Sequence, residues 1–316
     1  MIDLVTVIMP VYNASKYLDK SIQSILNQTY KDFKFIILND GSTDNSLDII
    51  KKYSDTDSRI ELVDKPNSGA ASSFNYGLKI CNSKYIARMD SDDISMPDRL
   101  HVQINYLEKY KNIDVLGSAI KTIDENDNEL KSIFFPDNYS DIIDRMDLTS
   151  PIANPSAMIK KSVFEDIGDL DTNTDPADDY DFLVKAVVNK KIITNINQIL
   201  LKYRLHQENL SKINHHKQIK FSYNSRKMLI EEGLLSSKIT EKEYQIRNLP
   251  SITDFEYENY KNDIKSHYKN DKKNKYFYLE ILSNLFARRL INNKFYLKGS
   301  ILLFVSLWHK LSKVLF

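Results

Sequence analysis

The chain has 316 residues, which is enough for one large domain with an appendage or for two domains. Its 44 basic and 43 acidic residues leave a formal net charge of +1, and this balance argues against a protein that binds nucleic acid through its overall charge. The single cysteine, Cys81, excludes an intramolecular disulfide and is compatible with a reducing cytoplasm.

Neither end of the chain shows a pattern that predicts passage across a membrane. At the amino terminus the sequence runs directly into an apolar stretch at residues 4–9, without the basic region and cleavage site of a signal peptide. The longest uncharged apolar stretch near the carboxyl terminus lies between Lys298 and Lys310, which is shorter than the ~20 residues needed to span a bilayer. We therefore expect a cytoplasmic protein, either free or peripheral on the cytoplasmic face of the membrane.

Apolar patterns predict strands that alternate with helices through the first part of the chain. A continuous apolar run at residues 4–9 predicts a strand, and apolar residues at helical spacing predict a helix over residues 15–28. The same unit recurs with strands predicted at residues 33–38, 60–63 and 85–89, each followed by a helical pattern. This alternation predicts an α/β fold with a mostly parallel sheet covered by helices on both faces.

Polar residues follow the predicted strands, at the edge where sheets of this kind bind ligands. Residues 10–13 read Pro-Val-Tyr-Asn, residues 39–44 read Asn-Asp-Gly-Ser-Thr-Asp, and residues 90–93 read Asp-Ser-Asp-Asp. Turn formation alone accounts for Asn, Asp, Gly and Ser at any one of these places. Three neighbouring carboxylates repel one another, and a cation between them would relieve that repulsion. Residues 90–93 therefore indicate a metal site.

The ordered set of motifs resembles family 2 of the GT-A glycosyltransferases over about residues 4–211. The resemblance rests on residues 7–13, 39–44, 67–77, 85–93, 154–158, 167–168, 178–181 and 203–211. It implies a GT-A, Rossmann-like fold in residues 1–211, with nucleotide-sugar binding in about residues 1–100 and the acceptor side in residues 101–211. Residues 212–316 would form a helical carboxyl-terminal extension.

The resemblance also implies roles for individual residues of the first motifs. Asp40 would accept a hydrogen bond from N3–H of uracil, with the Tyr12 region packing beside the base. Asp90 and Asp92 would hold Mn²⁺ or Mg²⁺, hard cations that prefer oxygen ligands. The implied contacts with the nucleotide-sugar are Pro10, Tyr12, Asn13, Asp40, Asn67, Asp90 and Ser91.

The later motifs imply the remaining site residues. In the family's Glu-Asp motif the second position is the general base, which corresponds to Asp179, while Asp178 replaces the usual Glu. A helix amino terminus alone would also favour acidic residues there. His206 would complete the metal site, since a histidine in a similar Tyr-Arg-x-His context does so in several relatives; a structural histidine is the alternative.

Two departures from the family pattern bear on specificity. Many relatives have Ala-Arg-Asn where residues 73–75 read Ser-Phe-Asn, so an arginine that could contact the diphosphate is absent. Relatives often have His where Asn154 stands, which leaves acceptor specificity open.

The carboxyl-terminal residues 281–316 combine six basic residues with many apolar ones and contain no acidic residue. This combination predicts an amphipathic helix attracted to an anionic membrane surface. The alternative is that these helices pack on the catalytic domain or form a homodimer contact.

The sequence as a whole predicts an inverting glycosyltransferase, of the hexosyl or N-acetylhexosaminyl type. The donor would be a nucleotide-diphosphate sugar, a UDP-sugar, and the acceptor a hydroxyl of a glycan or lipid-linked saccharide in bacterial-type surface polysaccharide synthesis. A non-catalytic sugar- or nucleotide-binding protein on the same fold is the alternative. A dinucleotide oxidoreductase and a P-loop NTPase are disfavoured, because the seven glycines form no Gly-x-Gly spacing and no Gly-Lys-Ser/Thr occurs.

Overall fold

The computed structural model describes residues 4–147, 149–207, 209, 215–236 and 244. The strands are β1 (Val5–Val11), β2 (Phe33–Asp40), β3 (Ile60–Lys65), β4 (Tyr85–Arg88), β5 (Ile94–Ser95), β6 (Val115–Ile123), β7 (Glu129–Ile133), β8 (Met158–Lys160) and β9 (Ile193–Arg204). The α-helices are α1 (Ser15–Leu26), α2 (Ser46–Ser54), α3 (Ala70–Ile80), α4 (Arg99–Lys109), α5 (Tyr139–Met146), α6 (Lys161–Ile167), α7 (Asp178–Val188) and α8 (His215–Glu231). Short 3-10 turns lie at Asn154–Ser156 and Thr172–Thr174.

The strands of the described residues form one sheet in the order β3-β2-β1-β4-β8-β6-β9-β5, and β7 also pairs with β6. The first four strands in this order pair in parallel, with β1 between β2 and β4. After β1 the chain first builds outward on one side through β2 and β3, and it then crosses to the other side for β4. Sheets of this topology bind ligands beyond the carboxyl end of the strand where the direction changes, which here is β1.

Helices cover both faces of the parallel strands, as the continuous apolar runs predict. On one face, Ile8 and Ile86 join a core with residues of α3, α6 and α7. On the other face, Val7 and Ala87 join a second core with residues of α1 and α4. The predicted α/β class with a mostly parallel sheet and flanking helices is confirmed.

The second half of the sheet mixes strand directions. Strand β8 runs antiparallel between β4 and β6, while β9 pairs in parallel with β6 and antiparallel with β5. In the last of these pairs, Ile94 faces Lys202 and Ser95 faces Leu201. Because β5 follows residues 90–93 directly, this pairing brings the end of β9 beside the acidic motif.

Helix α8 forms polar contacts with α7 and with Asp147, which follows α5. The Ser225 hydroxyl donates to Asp181 Oδ1 (2.6 Å), and Arg226 Nε donates to Asp147 Oδ1 (2.8 Å). The described residues up to 236 belong to one compact unit, so this unit continues beyond residue 211. None of the helices in the described part of the chain combines the length and apolar character needed to cross a membrane.

A second unit is formed by Lys238–Phe316, and nearly all of it lies outside the described residues. The predicted membrane-associating helices at residues 281–316 fall entirely in that part of the chain.

Candidate functional site

An acidic cluster follows β4 at the predicted metal position. One oxygen from each of Asp90, Asp92 and Asp93 lies within 4.8 Å of the others. Asp90 and Asp92 are partly buried and Asp93 is buried. The Ser21 hydroxyl of α1 donates to the backbone carbonyl of Asp90 (3.0 Å), which fixes the start of the loop.

The electrostatics of this cluster favour a bound cation. Burial and the negative charge of Asp92 raise the pKa of Asp90 to about 7. Burial, together with the charges of Asp92 and Asp90, raises the pKa of Asp93 well above its ordinary value. Asp93 Oδ2 is buried and accepts no hydrogen bond from the described residues. A hard divalent cation with oxygen ligands fits this arrangement, because its charge would offset the repulsion between the carboxylates.

The end of β9 and the residues after it contact the same cluster. The backbone N–H of Arg204 donates to Asp93 Oδ1 (2.8 Å), and Arg204 Nε donates to the carbonyl of Asp92 (2.7 Å). His206 Nε2 lies 2.8 Å from Asp92 Oδ2. The Asn209 side-chain amide donates to the same oxygen (3.4 Å), and its carbonyl accepts from the His206 backbone N–H (2.6 Å). Asn209 was not predicted, although it stands within the last motif.

The turn between β6 and β7 holds this end of β9 in place, and sequence reasoning missed it. The buried Arg204 side chain pairs with Asp127 (2.5 Å) and donates to the Asp124 carbonyl (3.0 Å). Lys20 of α1 pairs with the same Asp127, and Lys16 pairs with Glu125 (2.8 Å). These contacts give Arg204 a structural role beside the acidic cluster.

The acceptor-side carboxylates begin α7. Asp179 Oδ1 accepts a hydrogen bond from the Tyr180 backbone N–H (2.7 Å). Burial raises the pKa of Asp179 against the opposing charge of Arg88, while burial and the charge of Asp179 raise the pKa of Asp178 to about 7. The charge of Asp179 also contributes to the raised pKa of Asp90. The charge of the predicted base therefore acts on the acidic cluster.

The Asp40 side chain, at the end of β2, is held by hydrogen bonds and an ion pair from residues 65–69. Its Oδ1 and Oδ2 accept from the backbone N–H groups of Ser68 and Gly69, both at 2.9 Å, and Lys65 forms an ion pair with it. Burial opposes ionisation, but the hydrogen bonds from Lys65 and Ser68 outweigh burial and lower the pKa of Asp40. Asp40 is therefore an ionised carboxylate at neutral pH, and only 3% of it is exposed.

Asn67 and Gly41 pack together next to Asp40. The Asn67 side-chain amide donates to the Asp40 backbone carbonyl (2.9 Å). A Cβ on Gly41 would lie 2.7 Å from the backbone nitrogen of Asn67, and the φ angle of Gly41 is +70°. Only glycine fits such a close approach in this backbone conformation. The second and third motifs therefore form one packed structure beside the end of β1.

The loops after β1 and β2 are tied to each other. Asn13 Oδ1 accepts from the Thr43 backbone N–H (2.8 Å), and the Asn13 backbone N–H donates to the Ser42 hydroxyl (3.1 Å). Asp44 Oδ2 accepts from the Ser15 backbone N–H at the start of α1 (3.0 Å). Asn13, predicted as a nucleotide-sugar contact, thus also holds the second motif in place.

Of the remaining predicted contacts, Tyr12 is 53% exposed beyond the end of β1. Pro10 and Ser91 are partly buried. Because β1 lies between β2 and β4, Tyr12 stands between the strand ends that carry Asp40 and Asp90.

Comparisons with known proteins agree with this architecture. The model of the glycosyl transferase family 2 matches residues 6–168. An uncharacterized glycosyltransferase of Haemophilus influenzae is 35% identical over 68% of this chain and 69% of its own length. The O-antigen biosynthesis glycosyltransferase WbnJ of Escherichia coli is 33% identical over 67% of this chain and 84% of its own length.

Two solved structures share the fold. TarS of S. aureus, residues 1–349 in complex with UDP-GlcNAc, aligns with a TM-score of 0.59 and 19% identity over 95% of this chain and 78% of that chain. The mannosyltransferase PcManGT of Pyrobaculum calidifontis, in complex with GDP-Man and Mn²⁺, aligns with a TM-score of 0.59 and 14% identity over 98% and 81%. With the family match and the relatives above, they show that this chain belongs to glycosyl transferase family 2 and is a glycosyltransferase with the GT-A fold.

Proposed function

We propose that the chain transfers a sugar from a UDP-sugar to a hydroxyl of a glycan or lipid-linked saccharide, with inversion at the anomeric carbon. The transferred sugar is a hexose or an N-acetylhexosamine, and the product belongs to bacterial-type surface polysaccharide synthesis. The observation that supports the proposal is the cluster of Asp90, Asp92 and Asp93 after β4, which would serve the donor's phosphates, together with the electrostatic interaction between Asp90 and Asp179, the proposed base. The names of WbnJ and TarS, with its UDP-GlcNAc complex, support the substrate classes.

Asp90 and Asp92, with His206 against Asp92, would hold Mn²⁺ or Mg²⁺. Such a cation stabilises the charge that develops on a departing diphosphate. Asp93 has the Arg204 backbone on one oxygen and no partner among the described residues on the other, so it orients the loop or adds a ligand. The PcManGT complex with Mn²⁺ supports a metal of this kind on the same fold.

Asp40 would select the base. Oδ1 already accepts from the Ser68 backbone N–H and from Lys65, whereas Oδ2 accepts from the Gly69 backbone N–H and has a second lone pair for the uracil N3–H. Pro10, Tyr12, Asn13 and Asn67 would line the nucleoside side of the site, with the exposed ring of Tyr12 stacking on the base. Ser91 would lie beside the phosphates, between the two aspartates proposed as metal ligands.

Asp179 would accept the proton of the acceptor hydroxyl during attack on the anomeric carbon. Its raised pKa makes it a stronger base than an exposed aspartate, since burial disfavours the ionised form. A single displacement needs no covalent sugar intermediate, so an α-linked donor gives a β-linked product.

A donor screen by nucleotide release tests this function directly. We expect release from a UDP-sugar when glycan or lipid-linked acceptors are present, loss of release after exhaustive chelation, and recovery with Mn²⁺ or Mg²⁺. Binding of UDP-sugar without release in any acceptor mixture would instead favour the non-catalytic binding protein. Full activity after chelation would remove the metal from the mechanism.

We also propose that the extension associates peripherally with the cytoplasmic face of an anionic membrane. Its basis is the sequence of residues 281–316, which lies outside the described residues and combines six basic residues with apolar ones. Truncation after residue 275 should abolish sedimentation with anionic vesicles. If the truncated protein stays folded and binds vesicles equally well, the anchor is refuted, and a change of oligomeric state alone would favour the homodimer alternative.

A further inference from the structure

Arg88 is a buried cation at the centre of the site to which no motif assigned a role. It is the last residue of β4 and stands two positions before Asp90. Its backbone N–H donates to the Ala157 carbonyl (2.9 Å), and its carbonyl accepts from Arg99 Nη2 (2.8 Å). The backbone that carries the side chain is therefore fixed on both sides.

The guanidinium rests on an aromatic ring. Its central carbon lies 4.2 Å from the centroid of the Phe74 ring, in the range of a cation–π contact. Phe74 is fully buried in α3, and its ring packs at 6.0 Å from Phe164, which in turn stacks on Phe182 at 4.7 Å. These stacked rings support one face of the Arg88 guanidinium. The N–H groups at its edge remain available to a charged partner.

The described residues leave the hydrogen-bonding capacity of the Arg88 side chain unused. Its side chain forms no ion pair or hydrogen bond with any residue that the structure describes, and Nε is buried without an acceptor. Arg88 as a whole is 8% exposed, so some of its other atoms reach solvent. An unpaired buried guanidinium is costly, and its forked donors match a phosphate group.

Three carboxylates interact with the charge of this cation, and none of them forms an ion pair with it. The charge of Arg88 acts on Asp90 of the acidic cluster and on Asp178 and Asp179 at the start of α7. Arg88 therefore interacts with carboxylates of both the proposed donor side and the proposed acceptor side, and it stands two positions before Asp90 in the chain. An anion beside Arg88 would meet a cation whose donors are free.

We propose that Arg88 binds the terminal phosphate of the nucleoside diphosphate, and this assignment rests on the proposed function. During transfer, the bond between the acceptor oxygen and the anomeric carbon forms while the bond to the phosphate oxygen breaks. The electron pair goes to that phosphate oxygen, and the acceptor proton goes to Asp179. Arg88 donates hydrogen bonds to the phosphate throughout and transfers no proton.

The test compares a nucleoside diphosphate with its monophosphate, because only the former carries the terminal phosphate. Calorimetry with UDP and UMP, and with GDP and GMP, is run on the wild type and on Arg88→Met in the presence of Mn²⁺. Since a hydrogen-bonded charged pair contributes about 1.5–3 kcal/mol, we expect diphosphate affinity to fall by about 10- to 100-fold. Monophosphate affinity should change by less than about threefold on the same reasoning.

Two further variants keep the test decisive. Arg88→Lys retains the positive charge but loses the forked N–H donors of the guanidinium, so the diphosphate affinity should fall less than in Arg88→Met. The lysine variant replaces the methionine variant in the test if the latter does not fold. Arg145→Met is the matched control, because Arg145 also stacks on an aromatic ring, Phe135, at 4.9 Å from its centroid. We expect no change in nucleotide affinity for that control.

The outcomes separate this assignment from the function on which it rests. The assignment is overturned if the Arg88 variants bind diphosphates as tightly as the wild type does. It is also overturned if their affinities for diphosphate and for monophosphate fall by the same factor. If the wild type binds neither UDP nor GDP, the proposed function fails and the role of Arg88 fails with it.

Discussion

At the scale of a single residue, the proposed general base is Asp179. Replacing it with Asn nearly preserves its shape but removes the basic oxygen. We expect transfer to fall by roughly 10²–10⁴-fold, the usual contribution of a general base, while nucleotide binding is retained. The measurement pairs kcat for transfer with calorimetry for UDP.

Asp178→Asn is the comparison for this experiment, because Asp178 precedes the base and is similarly buried. A variant Asp179→Asn with near-normal transfer would move the base to Asp178. A product that keeps the donor's anomeric configuration would contradict the single displacement whichever residue is the base.

Asp40 supports its surroundings as well as offering an acceptor. Asn at this position keeps only one oxygen, whereas both oxygens of Asp40 accept backbone N–H groups and Lys65 pairs with it. We expect Asp40→Asn to lose about 1–3 kcal/mol of unfolding free energy, the cost of leaving a buried polar group unsatisfied. Urea denaturation measures the loss, with the exposed Asp48→Asn as control.

An unchanged unfolding free energy in Asp40→Asn would mean that the contacts of Asp40 with Lys65, Ser68 and Gly69 contribute little to stability. The same variant reports on base selection only at temperatures where it remains folded, and there it should weaken UDP binding.

The sequence predicted the residues of the site better than their contacts. The sequence pointed to Asp90, Asp92, His206 and Asp179 because strand ends and ordered motifs are local patterns, and the roles of these residues stay predictions. The contact of Asn209 with Asp92 joins positions 117 residues apart, and no local pattern records it. The free guanidinium of Arg88 was equally hidden, since its strand reads as an ordinary buried run.

At the scale of elements, α3 is tied to the segment that leads into α7. The Asn75 amide donates to the Leu170 carbonyl (2.8 Å), and its oxygen accepts from the Leu170 N–H (3.0 Å). Asn75→Asp replaces the donor with a second acceptor that would repel the carbonyl. We expect transfer to fall by roughly 10- to 100-fold, because small displacements of a catalytic group are costly.

Nucleotide affinity should change little in Asn75→Asp, since Leu170 lies in the part of the chain proposed to bind the acceptor. Steady-state kinetics and calorimetry together check this, with the exposed Asn82→Asp as control. Equal losses of binding and transfer would show that the contact supports α3 rather than the base.

The alternating pattern predicted the parallel strands because each strand there is followed by its own helix. It did not predict the antiparallel β8, β5 and β7, which have three, two and five residues. Strands that short carry little periodicity, and their partners are fixed by tertiary pairing.

At the scale of the whole molecule, buried carboxylates make stability depend on pH. The pKa values of Asp90 and Asp178 are about 7, above the ordinary value of about 3.9 for an unfolded chain. Between these values the folded protein holds protons that the unfolded chain has released, so stability falls as pH rises. We expect the metal-free protein to melt at a lower temperature at pH 8 than at pH 5.5.

Thermal denaturation in EDTA across this range measures the slope, and Asp178→Asn should flatten it because the amide does not titrate. Mg²⁺ should stabilise the protein more at pH 8, where it does not compete with protons for the cluster. A melting temperature that rises with pH in EDTA would contradict the raised pKa values.

The contact between His206 and Asp92 joins positions 114 residues apart and has a consequence for synthesis. The ribosome synthesises the acidic loop, residues 90–93, long before it synthesises Arg204 and His206, which contact that loop. A nascent chain arrested before residue 204 would therefore display three mutually repelling carboxylates without Arg204 or His206. If the cluster binds the proposed cation, metal affinity should rise once the chain extends past residue 209, because Arg204, His206 and Asn209 then contact the acidic loop.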